Sequence, residues 1–267
     1  MDTLHLPTIS PDAETDAGAL PSRISKPVAL VTGSTSGIGA SIARRLTADG
    51  YTVILHSRSS AEVGRAMARE LGAAYVQADL GDDSERVRLI REAVAVHGRL
   101  DVLVNNAGVS RVIPHDDLAA ATPDVWREMH EINVIAPFRL VAEAQPALLE
   151  AASRGRAGCV INVSSHAGVR PKGASIPYAA AKAALNHTTR LLARTLAPAI
   201  RVNAVAPGLV DTPLTADWTD AQTLWRERAP MRRAATPDDI AQTVSMLVAS
   251  DYVTGEIVML DGGLNLT

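Results

Sequence analysis

Seven short runs of apolar, largely β-branched residues alternate with stretches of helical periodicity along most of this chain, and that alternation does most to narrow its fold. The runs cover residues 28–32, 52–55, 74–77, 101–105, 160–163, 201–205 and 257–260. A strand that is apolar along its whole length has no solvent face and must be covered on both sides. The pattern therefore predicts an α/β fold, a doubly wound parallel sheet of seven strands with helices on both faces. Helix punctuation falls between the runs. Gly50 and Gly72 follow helical patterns, and Pro123 and Pro237 stand just inside helix starts.

At 267 residues with 47% hydrophobic content, the chain can bury one large core, and we expect a single domain over 26–267. Residues 1–25 carry Pro7, Pro11 and Pro21 and the acids Asp2, Asp12, Glu14 and Asp16 without a periodic apolar face, which predicts a flexible tail. A net charge of −3 offers no general attraction for nucleic acid or anionic membrane, so the expected partner is a small molecule. The single cysteine, Cys159, excludes a disulfide framework and reads as a buried strand residue. No apolar stretch approaches the roughly 20 residues that span a bilayer, and no secretory signal opens the chain. A cytoplasmic protein is expected, and no histidine and carboxylate spacing suggests a metal site.

After the first run comes Thr32-Gly33-Ser34-Thr35-Ser36-Gly37-Ile38-Gly39, followed by a helical stretch over 40–49. Strand, glycine turn and helix start in that order form a phosphate cradle. Glycine lets the backbone approach a pyrophosphate, while free amides and the helix dipole favour its charge. Three residues separate the first two glycines, against one in the commonest dinucleotide fingerprint.

Further along, Tyr178 and Lys182 stand four residues apart in a strongly helix-forming stretch, which puts both on one helix face. A phenol of pKa about 10 is a poor acid-base catalyst near neutrality, but a neighbouring cation favours its ionised form. At about 4 Å and an effective dielectric of about 20, the attraction is roughly 4 kcal/mol, enough to lower the phenol by about two to three pKa units. The phenol then exchanges a proton with an alcohol or ketone.

With these motifs in hand, the chain closely resembles the classical short-chain dehydrogenase/reductase family over residues 26–264. That family carries Thr-Gly-x-x-x-Gly-x-Gly and Tyr-x-x-x-Lys. Further matches follow in order: Asp79, Asn105-Asn106-Ala107-Gly108, Asn133, Ser164-Ser165, Pro207-Gly208 and Asp261-Gly262-Gly263. The resemblance implies a Rossmann-type fold and a catalytic tetrad. Ser165, thirteen residues before Tyr178, would orient the substrate oxygen. Tyr178 would be the general acid or base. Lys182 would lower its pKa and hold the nicotinamide ribose, and Asn133 would maintain a helix kink and a water-mediated proton path.

For the cofactor, the resemblance implicates Gly33, Ser36, Gly37, Ile38 and Gly39 at the pyrophosphate. Asp79 would lie at adenine and Asn105 near the adenosine ribose, and Leu80, Ala107 and Gly108 would also be cofactor-binding. Pro207, Gly208, Val210 and Thr212 would form the turn at the carboxamide, alongside Tyr178 and Lys182. Ser57 occupies the position where a carboxylate would bind ribose hydroxyls and repel a 2′-phosphate, and Arg58 follows it. A guanidinium suits phosphate, so NADP(H) is favoured with NAD(H) as the alternative. Ser36, where some NADP-dependent relatives carry a base, speaks for the alternative.

Residues 209–235 correspond to a substrate lid, where Trp218, Leu224, Trp225 and Met231 either cover an apolar substrate or anchor a helical flap. Arg226, Arg228, Arg232 and Arg233 read as a solvated face, with an acidic substrate or carrier as the alternative partner, His166 as an active-site rim residue, and His187 as packing or surface. The expected activity is an NADP(H)-dependent carbonyl reductase or alcohol dehydrogenase resembling 3-oxoacyl-carrier-protein reductases. The alternatives are an NAD-linked dehydrogenase of a sugar, steroid or other secondary alcohol, and a non-catalytic nucleotide-sensing scaffold. Family resemblance also implies a homotetramer, with a dimer as the other possibility.

Overall fold

Every residue of β1 (Val28–Val31), β4 (Val102–Asn105), β5 (Gly158–Val163) and β6 (Ile200–Pro207) is buried, as strands sandwiched between two helix layers must be. The computed structural model describes residues 26–267, so the expected tail lies outside the described residues. With β2 (Thr52–Ser57), β3 (Ala74–Gln77) and β7 (Ile257–Leu260), these strands form one seven-stranded parallel sheet in the order β3-β2-β1-β4-β5-β6-β7. The doubly wound Rossmann-type fold expected from the sequence is thus the one observed. The chain winds one way from β1 to β3 and the other way from β4 onward, which opens a crevice beyond the carboxyl ends of β1 and β4.

Side chains alternate across the sheet into two cores. Ala29, Val31, Val53 and Ile161 face one side, where Ile42 and Leu46 of α1 (Gly37–Ala48), Met67 of α2 (Ala61–Leu71) and Val244 and Leu247 of α8 (Pro237–Ala249) meet them. Val28, Leu30, Leu103 and Val160 face the other, against Leu89 and Ile90 of α3 (Asp83–His97) and Leu140 and Leu148 of α5 (Ala136–Ser153). Cys159 is buried in the first core. Full burial of one such Leu or Ile contributes roughly 1.5–3 kcal/mol.

The boundaries follow local chemistry. Pro123 opens α4 (Pro123–His130) and Pro237 opens α8, where Thr236 and Asp239 form a reciprocal capping box. Gly72 ends α2 in the left-handed conformation. Several expected boundaries shift. Helix α1 begins at Gly37 rather than residue 40, because the glycines of the turn form its first turn. Strand β1 stops at Val31, since Thr32 turns its hydroxyl to accept the Asn106 and Ala107 amides at 3.0 Å each. Strand β2 runs on to Ser57 and β6 to Pro207. Among the described residues, no helix is long and apolar enough to cross a membrane.

Candidate active site

Four elements converge at the carboxyl edge of the sheet: the loop after β4, the helix break before α5, the turn after β5, and α6 (Ile176–Leu196). On α6, Ser175 caps the amino terminus by accepting from the Tyr178 amide, which fixes the helix one turn ahead of Lys182. Ser165 lies just past the end of β5, accepts from the Ala167 amide at 3.2 Å, and is near enough to the Tyr178 phenol to favour its ionised form. Lys182 is only 5% exposed, and its Nζ donates to the Val163 carbonyl at 3.0 Å.

A π-helical turn, Glu131–Ile135, joins α4 to α5 and carries Asn133, which is fully buried. Its Nδ2 donates to the Met129 and Val109 carbonyls at 3.0 Å each, and its Oδ1 accepts from the Val109 amide at 3.3 Å. The expected helix kink at Asn133 is a π turn in which the Asn133 side chain takes the Met129 carbonyl and ties the turn to Val109 in the loop after β4. That loop passes very close. A Cβ on Gly108 would sit 2.8 Å from Asn133 Oδ1, so only glycine fits there.

Asn133, Ser165, Tyr178 and Lys182 all line one cavity of about 830 Å³, together with Ile38, Gly108, Pro207, Gly208, Val210 and Thr212. Trp218 and Leu224 form its outer wall, as does Trp225 on α7 (Thr219–Arg228). Segment 209–235 leaves and rejoins the body at one point, where Val210 bridges Ala235 and the Asp211 amide donates to the Ala235 carbonyl at 2.8 Å. Met231 is 62% exposed and stands outside the cavity, unlike the other apolar residues expected of this segment. Arg233 pairs with Asp239 rather than standing free.

The electrostatics differ from expectation at the phenol. The sequence predicts that Lys182 lowers Tyr178. In the structure, burial raises the phenol pKa, opposed only by the Ser165 hydrogen bond. Lys182 Nζ sits 5.8 Å from the Tyr178 ring centroid and is committed to a backbone carbonyl, while its own burial lowers it to about 8. Near neutrality Tyr178 is therefore a protonated phenol beside a cation, the form that donates a proton. His166 lines the cavity as the sequence reading places it, but as a wall residue rather than an open rim. It is buried, bonds Asn265 Oδ1 at 3.1 Å and meets the Trp225 ring edge-on at 6.1 Å, and burial lowers its pKa. His187 is exposed, as expected.

A family model described as "Enoyl-(Acyl carrier protein) reductase" matches residues 33–265. The protein named as ketoacyl reductase 2 of the granaticin polyketide synthase of Streptomyces violaceoruber is 49% identical over 248 residues, 90% of this chain and 96% of that one. The chain belongs to the short-chain dehydrogenase/reductase family. Solved members agree in fold. A 3-ketoacyl-(acyl-carrier-protein) reductase from Brucella melitensis complexed with NADH superposes with a TM-score of 0.82 at 30% identity, covering 89% of this chain and 98% of that one. A blue fluorescent protein from a metagenomic library, in complex with NADPH, gives 0.80 at 35% identity, covering 89% and 97%. This short-chain dehydrogenase/reductase is accordingly an oxidoreductase with a nicotinamide dinucleotide cofactor.

Its residues fit such a cofactor. The α1 amino terminus has no side-chain cap, so its amides are open to an anion. A Cβ on Gly39 would fall 2.3 Å from the Gly33 carbonyl oxygen and 2.5 Å from Asn106 Nδ2, so the turn closes only around glycine. Gly37 faces Thr212, whose methyl would lie 3.4 Å from an added Cβ. Ser36, Arg58 and Asp79 are surface positions along this edge, and Asp79 Oδ1 accepts from the Gly81 amide at 2.8 Å.

Three of the expected cofactor contacts look inward instead. Asn105 is buried and donates to Asn162 Oδ1 at 2.9 Å, a cross-strand pair within the sheet. Its neighbour Asn106, which the sequence reading passed over, lines the cavity and donates to the Thr32 and Gly33 carbonyls at 2.8 and 3.0 Å. Ser57 is buried and its hydroxyl pairs with the Tyr75 hydroxyl at 2.8 Å, while Leu80 packs in the second core. Ala107 is held through its amide by Thr32. Two further residues carried no motif signal: His56, buried beneath the glycine turn, and Arg86, which is buried, donates to the Leu80 carbonyl at 2.7 Å and pairs with Glu131.

Proposed function

We propose that this chain is an NADPH-dependent reductase of ketones, of the kind that acts on 3-oxoacyl thioesters, with Tyr178 as general acid. The observation that carries this reading is the convergence of Tyr178, Ser165, Lys182 and Asn133 on one roomy cavity, with burial raising the Tyr178 phenol pKa. NADPH, when bound, supplies the hydride. Ser165 donates to the substrate oxygen and orients it, and Tyr178 delivers a proton to that oxygen as negative charge builds there. Lys182 holds the ribose and keeps a positive charge beside the phenol. Asn133 anchors a water path that returns the proton. In alcohol oxidation the same groups act in reverse.

Preference for NADPH rests on the end of β2. Arg58 is exposed, its carbonyl taken by Gln77 Nε2 at 2.9 Å and its guanidinium left at the surface. No carboxylate stands at Ser57 to repel a 2′-phosphate. A hydrogen bond to a charged group is worth about 1.5–3 kcal/mol, so Arg58→Ala is expected to weaken NADPH by about 10- to 100-fold and NADH by about twofold or less. Equal weakening of the two in a fluorescence titration would sink this assignment and favour the NAD-linked reading.

The pH profile supplies a second test. Lys182 titrates at about 8. Its charge is present below that value and lost above it, so ketone reduction should be level on the acid side and decline above pH about 8. A rate that stays level through pH about 10, the reference value of a free lysine, would remove Lys182 from the mechanism.

We assign residues 26–267 to one domain with a substrate lid over 209–235, and the protein to the cytoplasm. Exposed apolar side chains on α5 and α6, Phe138, Leu149 and Leu191, support a homotetramer built through those helices.

A further inference from the structure

His56 is 2% exposed on β2, two residues before Arg58. Its Nδ1 accepts the Gly33 amide at 3.1 Å and its Nε2 donates to the Ala78 carbonyl at 3.0 Å. An amide only donates and a carbonyl only accepts, so these partners fix the neutral tautomer with the proton on Nε2. Burial keeps the ring neutral, lowering its pKa to about 4 against the opposing pull of the Ala78 carbonyl and then Asp79. The backbone adds to the tie. Ser34 Oγ accepts the His56 amide at 2.9 Å, and the Ser34 amide donates to the His56 carbonyl at 2.9 Å.

One side chain thus joins the first glycine of the turn to the residue before Asp79, spanning the end of β2 where Arg58 stands. We infer that His56 is a positioning residue for the dinucleotide, a clamp that holds the pyrophosphate-facing turn and the adenosine side of the site at a fixed separation. The inference rests on the cofactor-site reading above. Without the imidazole, the Gly33 amide and Ala78 carbonyl lose their buried partners, and the turn is no longer held in the shape that receives the anion. The cost falls on cofactor affinity, because His56 does not line the cavity that holds Tyr178 and Ser165.

The test is calorimetric titration of the full chain with NADP⁺ in the absence of substrate, paired with steady-state kinetics. His56→Ala is expected to raise Kd for NADP⁺ and KM for NADPH about tenfold, with kcat at saturating cofactor within about twofold. His56→Asn, whose amide oxygen can accept from Gly33, is expected to recover most of that affinity. Should His56→Ala be insoluble, His56→Val carries the same expectation, since it fills the strand position without an acceptor. Wild-type affinity in His56→Ala or His56→Val, or a fall in kcat with KM unchanged, overturns the clamp alone. Failure of the wild-type chain to bind either NADP⁺ or NAD⁺ overturns the cofactor-site reading and the clamp with it.

Discussion

Tyr178→Phe is expected to slow ketone reduction about a thousandfold while leaving NADPH affinity within about twofold. The substitution removes one hydroxyl and keeps the ring that packs beside Lys182 and the cavity wall. A positioned general acid contributes about 10²- to 10⁴-fold. Ser165 lines the same cavity, but a serine hydroxyl is far too weak an acid to replace the phenol. Single-turnover kinetics with saturating NADPH separate the chemical step from binding. Turnover at more than a tenth of the wild-type rate would take the acid role away from Tyr178.

Gly39→Ala is expected to have the second-largest effect, and on binding rather than chemistry. An added Cβ would meet a backbone carbonyl at 2.3 Å and the Asn106 amide nitrogen at 2.5 Å. Neither is the free end of a flexible chain, because Asn106 is itself tied to Thr32 and Gly33. The turn must open, at a cost of about 1–3 kcal/mol. We expect a lower Tm and cofactor affinity reduced by about tenfold or more, measured by thermal unfolding and NADPH titration. Unchanged binding would show that the turn flexes freely and does not shape the site.

The fold was legible because every cue for it is local. Apolar runs too long to have a wet face demand a doubly covered sheet, and prolines and glycines mark helix ends without reference to distant residues. Legibility ended where one residue step changes direction. Asn105 and Asn106 are identical in kind, yet the last strand position sends Asn105 into the sheet toward Asn162 and the next residue turns Asn106 out toward the glycine turn. Nothing in the run Asn105-Asn106 distinguishes them until the pairing partner is known. The phenol shows the same limit in energy. Spacing put Lys182 beside Tyr178, but the sign of the shift depends on burial and on the Val163 carbonyl that takes the ammonium, both of them products of tertiary packing. His56 was invisible as a site residue, and the burial of His166 could not be read, for a related reason. Their partners, Gly33 with Ala78 and Asn265, lie far away in sequence.

The central claim is hydride transfer from NADPH to a ketone with Tyr178 supplying the proton, and the most direct test is NADPH oxidation by the purified chain across a carbonyl panel that includes a 3-oxoacyl thioester, run in parallel with NADH. The account predicts turnover of at least one ketone with NADPH, a clear preference over NADH, and loss of that turnover in Tyr178→Phe. Tight NADPH binding without oxidation on any carbonyl, or a preference for NADH with activity confined to alcohols, would contradict it.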